Sequence, residues 1–375
     1  MRYRWFLFIL LFSCQSCHRE KVNRGNSSVA DQYAQGFSIR KSEMVTKLTV
    51  RNPWEKARNI QFEYYLLDNN IQIPDSLSGK NIIRTPVKRV ICLSTSHLAF
   101  LEIIGELDKV TGISGAPYIS NAVIRKGILE GTIRDVGYGA NLNYEEIIRQ
   151  KPDLVLVYGV DSEISGFLVK FRDLGIPAVI MAEYLESTPL GKAEWVKLAA
   201  TFFGKEKMAD SLFSGIEGRY LQMAGLTKEL KMNPNVIVGL PYKDSWWIPG
   251  GASYLAGLIK DAGGNYLGCN NKSHESYVIS MEDAIQLFSG ADIWINTGTV
   301  TRKSEILASE DRFRKLSFFG NARIFNNNNR STPAGGMDFW ESGTVHPDVI
   351  LGDLIRIFHP GLLPADSLTY YREIK

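Results

Sequence analysis

The chain has 375 residues, of which 45% are hydrophobic and 22% charged, and a formal net charge of +3. This length and apolar content are sufficient for two lobes with separate cores, and they exclude a fibrous or disordered protein. Because Arg2 and Arg4 lie in a segment that we expect to be removed, the mature chain is nearly neutral. A nearly neutral chain gives no electrostatic reason to expect a nucleic-acid partner.

The N-terminus has the pattern of an export signal. Arg2 and Arg4 precede an uninterrupted apolar run over residues 5–12, and small residues follow it. That run is roughly half as long as the ~20 residues that a membrane span requires. These features are typical of a secretory signal peptide, which we predict over residues 1–13. The alternative is a buried N-terminal helix.

The segment Leu11-Phe12-Ser13-Cys14 resembles a bacterial lipobox, in which the cysteine is acylated and becomes the new N-terminus. Cys17 is a rival site, but Cys14 directly follows the apolar run and is the predicted lipidation residue. Each methylene of an acyl chain contributes ~0.8 kcal/mol on insertion, so several chains hold a protein firmly at a membrane. We therefore expect an exported protein that is lipid-anchored to a membrane.

Two different segments follow the predicted signal. Residues 14–36 are polar and rich in Gly, Ser, Asn and Gln, which predicts a lipid-anchored flexible tether. Residues 37–85 contain short apolar alternations separated by the turn signal Asp68-Asn69-Asn70. This alternation predicts a β-rich N-terminal extension.

From residue 86 the apolar pattern changes to alternating strands and helices. Apolar runs that predict buried strands occur at residues 87–93, 110–113, 153–158 and 178–181, and again at 236–240, 291–296 and 323–325. Apolar strands that alternate with helices predict a parallel sheet covered on both faces. The recurrence predicts two similar lobes, over residues 86–190 and 233–375.

The segment between these lobes, residues 191–232, has apolar residues at helical spacing. We predict one long or twice-bent interlobe helix here, because only Gly204 and Gly215 interrupt the pattern, and only weakly. The predicted fold class is therefore α/β. It consists of two similar α/β lobes with parallel sheets, joined by one long helix and preceded by the β-rich extension.

Enzyme signatures are missing from the sequence. It contains no P-loop, no nucleophile elbow, no paired-histidine zinc motif and no dinucleotide-binding glycine pattern. The five histidines have no ligand spacing to another His or Cys. Two α/β lobes without such motifs favour binding over catalysis, so we expect no catalytic residue, no metal site and no resident cofactor.

Polar and aromatic residues follow the predicted strands of both lobes. In open α/β sheets, ligands bind outside the carboxyl ends of the strands. Aromatic rings there offer a large apolar contact with a polar tip, although each could instead serve ordinary packing. The predicted ligand-binding residues are Ser96, His97, Tyr118, Tyr138 and Tyr158 in the first lobe and Tyr242, Trp246, Trp247, Asp338 and Trp340 in the second.

Five segments resemble one known family. They are RVICLSTSH (89–97), VGYGANLNYEEIIRQKPDLVLV (136–157), TPLGKAEWVK (188–197), IPGGASYLAGLIKDAGG (248–264) and VHPDVILGDL (345–354). The chain resembles the periplasmic binding proteins for iron-siderophores, haem and cobalamin, a class whose two lobes are bridged by a helix. The resemblance implies a shallow site between the lobes and limited closure of the lobes on the ligand. It also implies that the protein works in the periplasm and delivers a bound metal chelate to an ATP-driven (ABC) importer.

Two glutamates occupy matching places in the two lobes. Glu145 and Glu282 each lie at the start of a predicted helix, where a carboxylate is favoured locally by the helix dipole. In the resembled family, glutamates at these positions dock onto arginines of the two importer subunits. The resemblance therefore implies that Glu145 and Glu282 contact a permease dimer, since such charge pairs guide encounter and orientation.

Two other classes of function stay open. A chelatase-like or nitrogenase-like enzyme would also have two α/β lobes, but its cleft should hold Cys or His metal ligands. A surface interaction lipoprotein would lack aromatic residues in its cleft. For the binding protein we expect a monomer, and the sequence leaves open whether its ligand is haem, cobalamin or a ferric siderophore.

Overall fold

The computed structural model describes residues 28–29, 33–162, 164–242, 245–315 and 317–375. The predicted signal peptide, Cys14 and Cys17 lie outside the described residues. Within the described part of the chain, no helix combines the length and apolar character needed to cross a membrane.

The N-terminal extension is a five-stranded sheet with the strand order β1-β2-β3-β4-β5. Its strands are β1 (Ser28–Val29), β2 (Phe37–Lys41), β3 (Thr46–Arg51), β4 (Gln61–Asp68) and β5 (Asn81–Thr85). Neighbouring strands are antiparallel except β4 and β5, which are parallel. The alternation seen in the sequence puts Leu48 and Val50 on the buried face of β3.

The first lobe is built around a parallel sheet with the order β10-β9-β6-β7-β8. Its elements are β6 (Val90–Cys92), α1 (Thr95–Ile103), β7 (Val110–Ile113), α2 (Ala122–Leu129), β8 (Arg134–Asp135), α3 (Tyr144–Gln150), β9 (Leu154–Val157), α4 (Ile164–Asp173) and β10 (Ala178–Ile180). Every residue of the central strands β6 and β9 is buried, as uninterrupted apolar runs predict.

Two helices connect the lobes, α5 (Pro189–Thr201) and α6 (Glu206–Thr227). The prediction of one long helix is therefore wrong in this detail. Gly204 lies between the two helices with φ +67°, a left-handed conformation that ends a right-handed helix. The side chain of Thr188 caps α5 by accepting a hydrogen bond from the Gly191 N–H at 3.0 Å.

The second lobe has a sheet with the order β13-β11-β15-β16-β17, parallel except for β17, and a separate antiparallel pair, β12 and β14. Its elements are β11 (Asn235–Val238), β12 (Ser245–Ile248), α7 (Tyr254–Asp261), β13 (Asn265–Tyr266), β14 (Tyr277–Ser280), α8 (Met281–Leu287), β15 (Ile293–Ile295), α9 (Lys303–Ser309), α10 (Ser317–Asn321), β16 (Arg323–Asn326), α11 (Pro347–Phe358) and β17 (Arg372–Glu373). The predicted α/β fold class, with two lobes and parallel sheets, is confirmed.

Helix α5 lies where all parts of the molecule meet. It packs against α1 of the first lobe, against α7 and α11 of the second lobe, and against β2 of the extension. All of its residues except Lys197 are buried, including Lys192 and Glu194. Because burying a charge is costly unless the charge is paired, these side chains require partners.

Glu194 obtains its partners from the start of the extension. Its Oε2 atom accepts hydrogen bonds from the backbone N–H groups of Tyr33 and Ala34, each at 2.9 Å. Its Oε1 atom accepts one from the Lys197 ammonium at 2.6 Å. The fully buried carboxylate is thereby neutralised and fixed to the chain that leads into β2.

Glu186 holds the next two residues in the same way. Its carboxylate accepts hydrogen bonds from the N–H groups of Gln35 and Gly36 and from the Trp195 indole. A Cβ atom on Gly36 would lie 2.8 Å from the Trp195 ring, so only glycine fits here. Residues 33–36 are therefore bound to the body of the protein. The flexible tether that we predicted over residues 14–36 is therefore wrong for residues 33–36, and also for Ser28–Val29, which form strand β1 of the extension sheet. The other residues of this segment lie outside the described part of the chain.

Three hydrogen bonds between side chains of the second lobe and the backbone of the first lobe join the two lobes directly. The Glu341 carboxylate of the second lobe accepts hydrogen bonds from the backbone N–H groups of Ser120 and Asn121 at 2.8 and 2.7 Å, at the N-terminus of α2. The Thr332 hydroxyl donates to the Pro117 carbonyl at 2.9 Å. We refer to these three hydrogen bonds as the lobe clasp.

Two residues that we predicted to bind ligand are instead buried in the lobe cores. His97 in α1 and Trp246 in β12 are both 0% exposed. The Trp246 indole donates to the Val238 carbonyl at 3.0 Å, and its ring lies 4.9 Å from that of Phe288. These two ligand assignments are wrong, because both side chains are fully buried and neither is exposed at the end of a sheet.

The burial of His97 has a consequence for stability. Burial lowers the pKa of His97 to about 3, whereas the ordinary value is 6.5. Below about pH 6.5 His97 is therefore protonated in the unfolded chain but stays neutral in the folded protein. Protonation stabilises the unfolded chain, so the free energy of unfolding decreases as the pH falls. Between pH 7 and pH 4.5 this costs about 2–3 kcal/mol.

We predict that His97→Leu removes this pH dependence. The free energy of unfolding is measured by urea denaturation at pH 7 and at pH 4.5. Between these two pH values it should fall by about 2–3 kcal/mol less in the variant than in the wild type. His274→Leu, which changes an exposed histidine, is the matched control and should behave like the wild type. An unchanged pH dependence in His97→Leu would show that the buried imidazole does not resist protonation.

Candidate functional site

Four tyrosines line the carboxyl end of the first-lobe sheet. Tyr158 follows β9, and its ring centroid lies 5.2 Å from that of Tyr184, which follows β10. Tyr118 and Tyr138 follow β7 and β8, and their rings flank Gly115, where a Cβ atom would lie 3.3 and 3.6 Å from them. We call Tyr118, Tyr138, Tyr158 and Tyr184 the tyrosine row.

The tyrosine row borders a cavity and reaches the second lobe. Tyr138 and Tyr158 line a cavity of about 220 Å³ together with Leu93 and Ser114. A Cβ atom on Gly336, in the second lobe, would lie 1.9 Å from the Tyr118 carbonyl oxygen. The two lobes are thus in close contact at one end of the row, beside the lobe clasp.

Buried polar groups lie beneath the row. The Ser94 and Ser96 hydroxyls are 2.9 Å apart, and the Ser96 hydroxyl donates to Glu183 Oε1 at 2.6 Å. Glu183 is 1% exposed, and its Oε2 atom has no hydrogen-bond partner among the described residues. Burial raises the pKa of Glu183, because the charged form is poorly solvated.

Lys192, in the first turn of α5, lies between the lobes. Its ammonium nitrogen is 5.0 Å from the ring centroid of Tyr254 and 5.5 Å from that of Trp340, both in the second lobe. Lys192 is 7% exposed. Burial lowers its pKa, an effect that the nearby charge of Glu183 opposes. A cation, a nearby carboxyl group and two second-lobe rings therefore meet at the start of α5.

The predicted second-lobe residues divide into two groups. Trp340 is 45% exposed and contacts Lys192, so it lies in the cleft. Asp338 beside it is buried and accepts a hydrogen bond from Arg330 at 3.0 Å, so its carboxylate is already paired. Tyr242 and Trp247 are exposed on the surface near β12, 71% and 60% respectively. A ligand role for Tyr242 and Trp247 stays a prediction.

Sequence reasoning missed Glu183, Tyr184, Lys192 and Tyr254. The signal was present for two of them, because Glu183 directly follows an apolar strand and Lys192 interrupts an apolar helical pattern. Charged residues in such surroundings are buried only with partners or for a function. The aromatic partners of Lys192 come from more than sixty residues away in the chain, so spacing could not reveal them.

The two predicted docking glutamates have equivalent positions. Each is the second residue of a seven-residue helix, Glu145 in α3 and Glu282 in α8, and each helix precedes a parallel strand of its sheet. The N-cap side chains of Asn143 and Ser280 accept hydrogen bonds from the first turns. Both carboxylates are exposed, with Arg312 4.0 Å from Glu282.

The described residues contain no group of three or more His, Cys, Asp or Glu side chains arranged to hold a metal ion. Cys92 is buried in β6, and Cys269 is exposed. The tyrosine row and the surroundings of Lys192 offer aromatic rings, hydroxyls, the Lys192 ammonium and the Glu183 carboxyl group. These groups suit the binding of an organic ligand by its faces and polar edges.

Two lipoproteins from Methanocaldococcus jannaschii, both called uncharacterized, are similar to this chain. One is 30% identical over 289 residues, which covers 74% of this chain and 67% of the relative. The other is 26% identical over 337 residues, which covers 85% of this chain and 82% of the relative.

Solved structures share the fold. A periplasmic haem-binding protein from Pseudomonas aeruginosa matches with a TM-score of 0.57 at 14% identity, covering 77% of this chain and 98% of that one. A possible iron-binding (periplasmic solute-binding) protein from Staphylococcus epidermidis matches with a TM-score of 0.55 at 20% identity, covering 72% and 98%.

A family model described as periplasmic binding protein matches residues 90–329. This span contains the tyrosine row, Glu183, Lys192 and most of both lobes. The match confirms the family to which the sequence segments pointed. The chain belongs to the periplasmic binding protein family.

Proposed function

We propose that the chain is an extracytoplasmic solute-binding lipoprotein that captures a metal chelate between its lobes and delivers it to an ABC importer. The chelate is a ferric siderophore, cobalamin or haem. The observation that carries the proposal is that the tyrosine row of the first lobe and the contacts of Lys192 with Tyr254 and Trp340 of the second lobe lie on either side of Glu183, whose charge acts on Tyr158, Tyr184 and Lys192. Flat ligands with a polar edge match such ring-lined sites.

The similar proteins support this choice of ligand class. The Pseudomonas aeruginosa protein that shares the fold is named for haem, and the Staphylococcus epidermidis protein for iron. In the present chain the protein side of such a site consists of rings and hydroxyls, and the ligand supplies the metal. We further propose that the protein works as a monomer and has no cofactor of its own.

The enzymatic alternative is not proposed. A chelatase-like or nitrogenase-like protein needs Cys or His ligands that face its cleft. Cys92 is buried in β6, and His97 is buried in α1, so neither side chain reaches the cleft surface.

The partner that we propose is a permease dimer. Its two subunits present the same surface twice, and Glu145 and Glu282 present equivalent carboxylates on the two lobes. Both stand at the second position of an exposed helix start, where a partner can reach them. The lipid anchor on Cys14 would keep the protein near this importer, and the similar proteins of Methanocaldococcus jannaschii are named lipoproteins.

Truncation of the exposed cleft aromatic tests the ligand site. Trp340→Ala should weaken chelate binding by about 1–3 kcal/mol, because an aromatic anchor in a cleft carries much of the contact energy. Calorimetric titration of wild type and variant with haemin, cyanocobalamin and ferrichrome measures this. Trp340→Phe keeps a ring at the site and should retain most of the affinity. Equal affinities of wild type and Trp340→Ala for every chelate that binds would place the site elsewhere.

Charge reversal tests the docking assignment. The double variant Glu145→Arg with Glu282→Arg should abolish uptake of the chelate while its affinity and thermal stability stay near those of the wild type. Docking charges act on encounter and orientation and not on the cleft, which is the reason for this separation. Glu130→Arg with Glu229→Arg reverses two other exposed charges and should transport normally. Normal uptake by the first double variant would refute the assignment.

Removal of the acylated sulfur tests the anchor. Cys14→Ala should shift the protein from the membrane fraction to the soluble fraction of the cell envelope, because the acyl chains supply the membrane affinity. Fractionation followed by immunoblotting measures the shift, and Cys17→Ala should stay membrane-bound. The reverse pattern would make Cys17 the acylated residue.

A further inference from the structure

Lys192 is a largely buried residue whose ammonium has no acceptor among the described residues. Only 7% of the surface of this residue is exposed. Among the described residues, its ammonium contacts the faces of Tyr254 and Trp340 and forms no hydrogen bond or salt bridge. An ammonium carries three N–H donors, and ring faces satisfy these only weakly.

The other carboxylates near Lys192 are already occupied. Glu186 accepts hydrogen bonds from Gln35, Gly36 and Trp195. Glu194 is paired with Lys197 and with the backbone of the extension. The carboxylates on the same stretch of chain therefore cannot turn to Lys192 without losing buried hydrogen bonds.

Glu183 is the nearest negative group, and it is also incompletely bonded. One of its oxygens accepts the Ser96 hydroxyl, and the other is buried with no partner among the described residues. No salt bridge within 4.0 Å joins Glu183 to Lys192 in the described structure. The Lys192 ammonium and the second oxygen of Glu183 thus interact electrostatically, and neither has a hydrogen-bond partner among the described residues.

We propose that Lys192 recognises an anionic oxygen of the ligand, a carboxylate or a phosphodiester, that enters the cleft beside Trp340. This inference deepens the proposed function and rests on it. The anionic group would fill the open donors of Lys192, while a hydroxyl or N–H of the ligand, or a water, would fill the open oxygen of Glu183. The metal chelate that this protein carries is therefore an acidic one.

Matched pairs of chelates test the proposal on the full-length protein. Each pair has one member with the acid group and one without it. The pairs are haemin with its dimethyl ester, ferrichrome A with ferrichrome, and cyanocobalamin with dicyanocobinamide. Affinities are measured by absorbance and calorimetric titration for wild type, Lys192→Met, Lys192→Met with Glu183→Gln, and Lys260→Met.

The expected result is specific to one member of a pair. Wild type binds the acidic member more tightly, and Lys192→Met weakens that member roughly 10- to 100-fold, the range for a lost charged hydrogen bond, with little change for the neutral member. In the double variant Glu183 is also neutral, so no unpaired carboxylate stays buried beside the missing Lys192 charge. The double variant should therefore fold normally and show the same loss of affinity for the acidic member. Lys260→Met removes the same charge from an exposed position and should bind like the wild type.

Two other outcomes are decisive in different ways. If a neutral member binds as tightly as its acidic partner, or if the Lys192 variants keep the wild-type affinity, the role of Lys192 is refuted and the chelate-binding function stands. If the folded wild type binds none of the six compounds, the proposed chelate function fails, and this inference fails with it.

Discussion

The burial of charged side chains on and around helix α5 is the constraint on which the rest of the molecule depends. A helix that touches both lobes and the extension has no solvent-facing side on which to place charges. Burial of a charge is costly unless the charge is paired, so the partners of these side chains define parts of the structure. Glu194 and Glu186 bind the start of the extension, and Lys192 faces the cleft.

This arrangement explains how the extension becomes part of the binding protein. Two buried carboxylates accept five N–H donors in all from residues 33–36 and Trp195, and the Gly36 backbone lies directly against the Trp195 ring. Hydrogen bonds to a buried carboxylate are strong, and the loss of one partner leaves a charge unsatisfied. The extension is thus attached to the same short helix that supplies the cation of the cleft.

The lobe clasp places a second constraint on the cleft. Glu341 is 2% exposed and bonded to two backbone N–H groups of the opposite lobe. Burial raises the pKa of Glu341 to about 7, and the two N–H groups oppose that rise. Opening of the lobes would leave this carboxyl group and two helix-start donors without partners. Together with α5, the clasp favours a cleft that is formed before the ligand arrives.

Much of the fold could be predicted because apolar periodicity reports burial directly. Apolar runs identified the central parallel strands, and their recurrence identified two lobes. The two-residue edge strands β8 and β13 lack such runs and were not predicted. The side of a strand to which each side chain points was harder to predict. Trp246 and Trp247 are neighbours, and the sequence could not tell which of them faces the core, because alternate residues of a strand point to opposite sides. Lys192 and Glu183 escaped prediction because their significance depends on partners distant in the chain.

The central claim is that the cleft carries a metal chelate, and native mass spectrometry of the full-length protein purified from its own host tests it most directly. We expect a complex of one chain with one non-covalently bound iron or cobalt chelate, which is released as an intact small molecule on collisional activation. A folded protein whose mass equals that of the lipidated polypeptide alone, even after growth with abundant haem, cobalamin and siderophores, would contradict it.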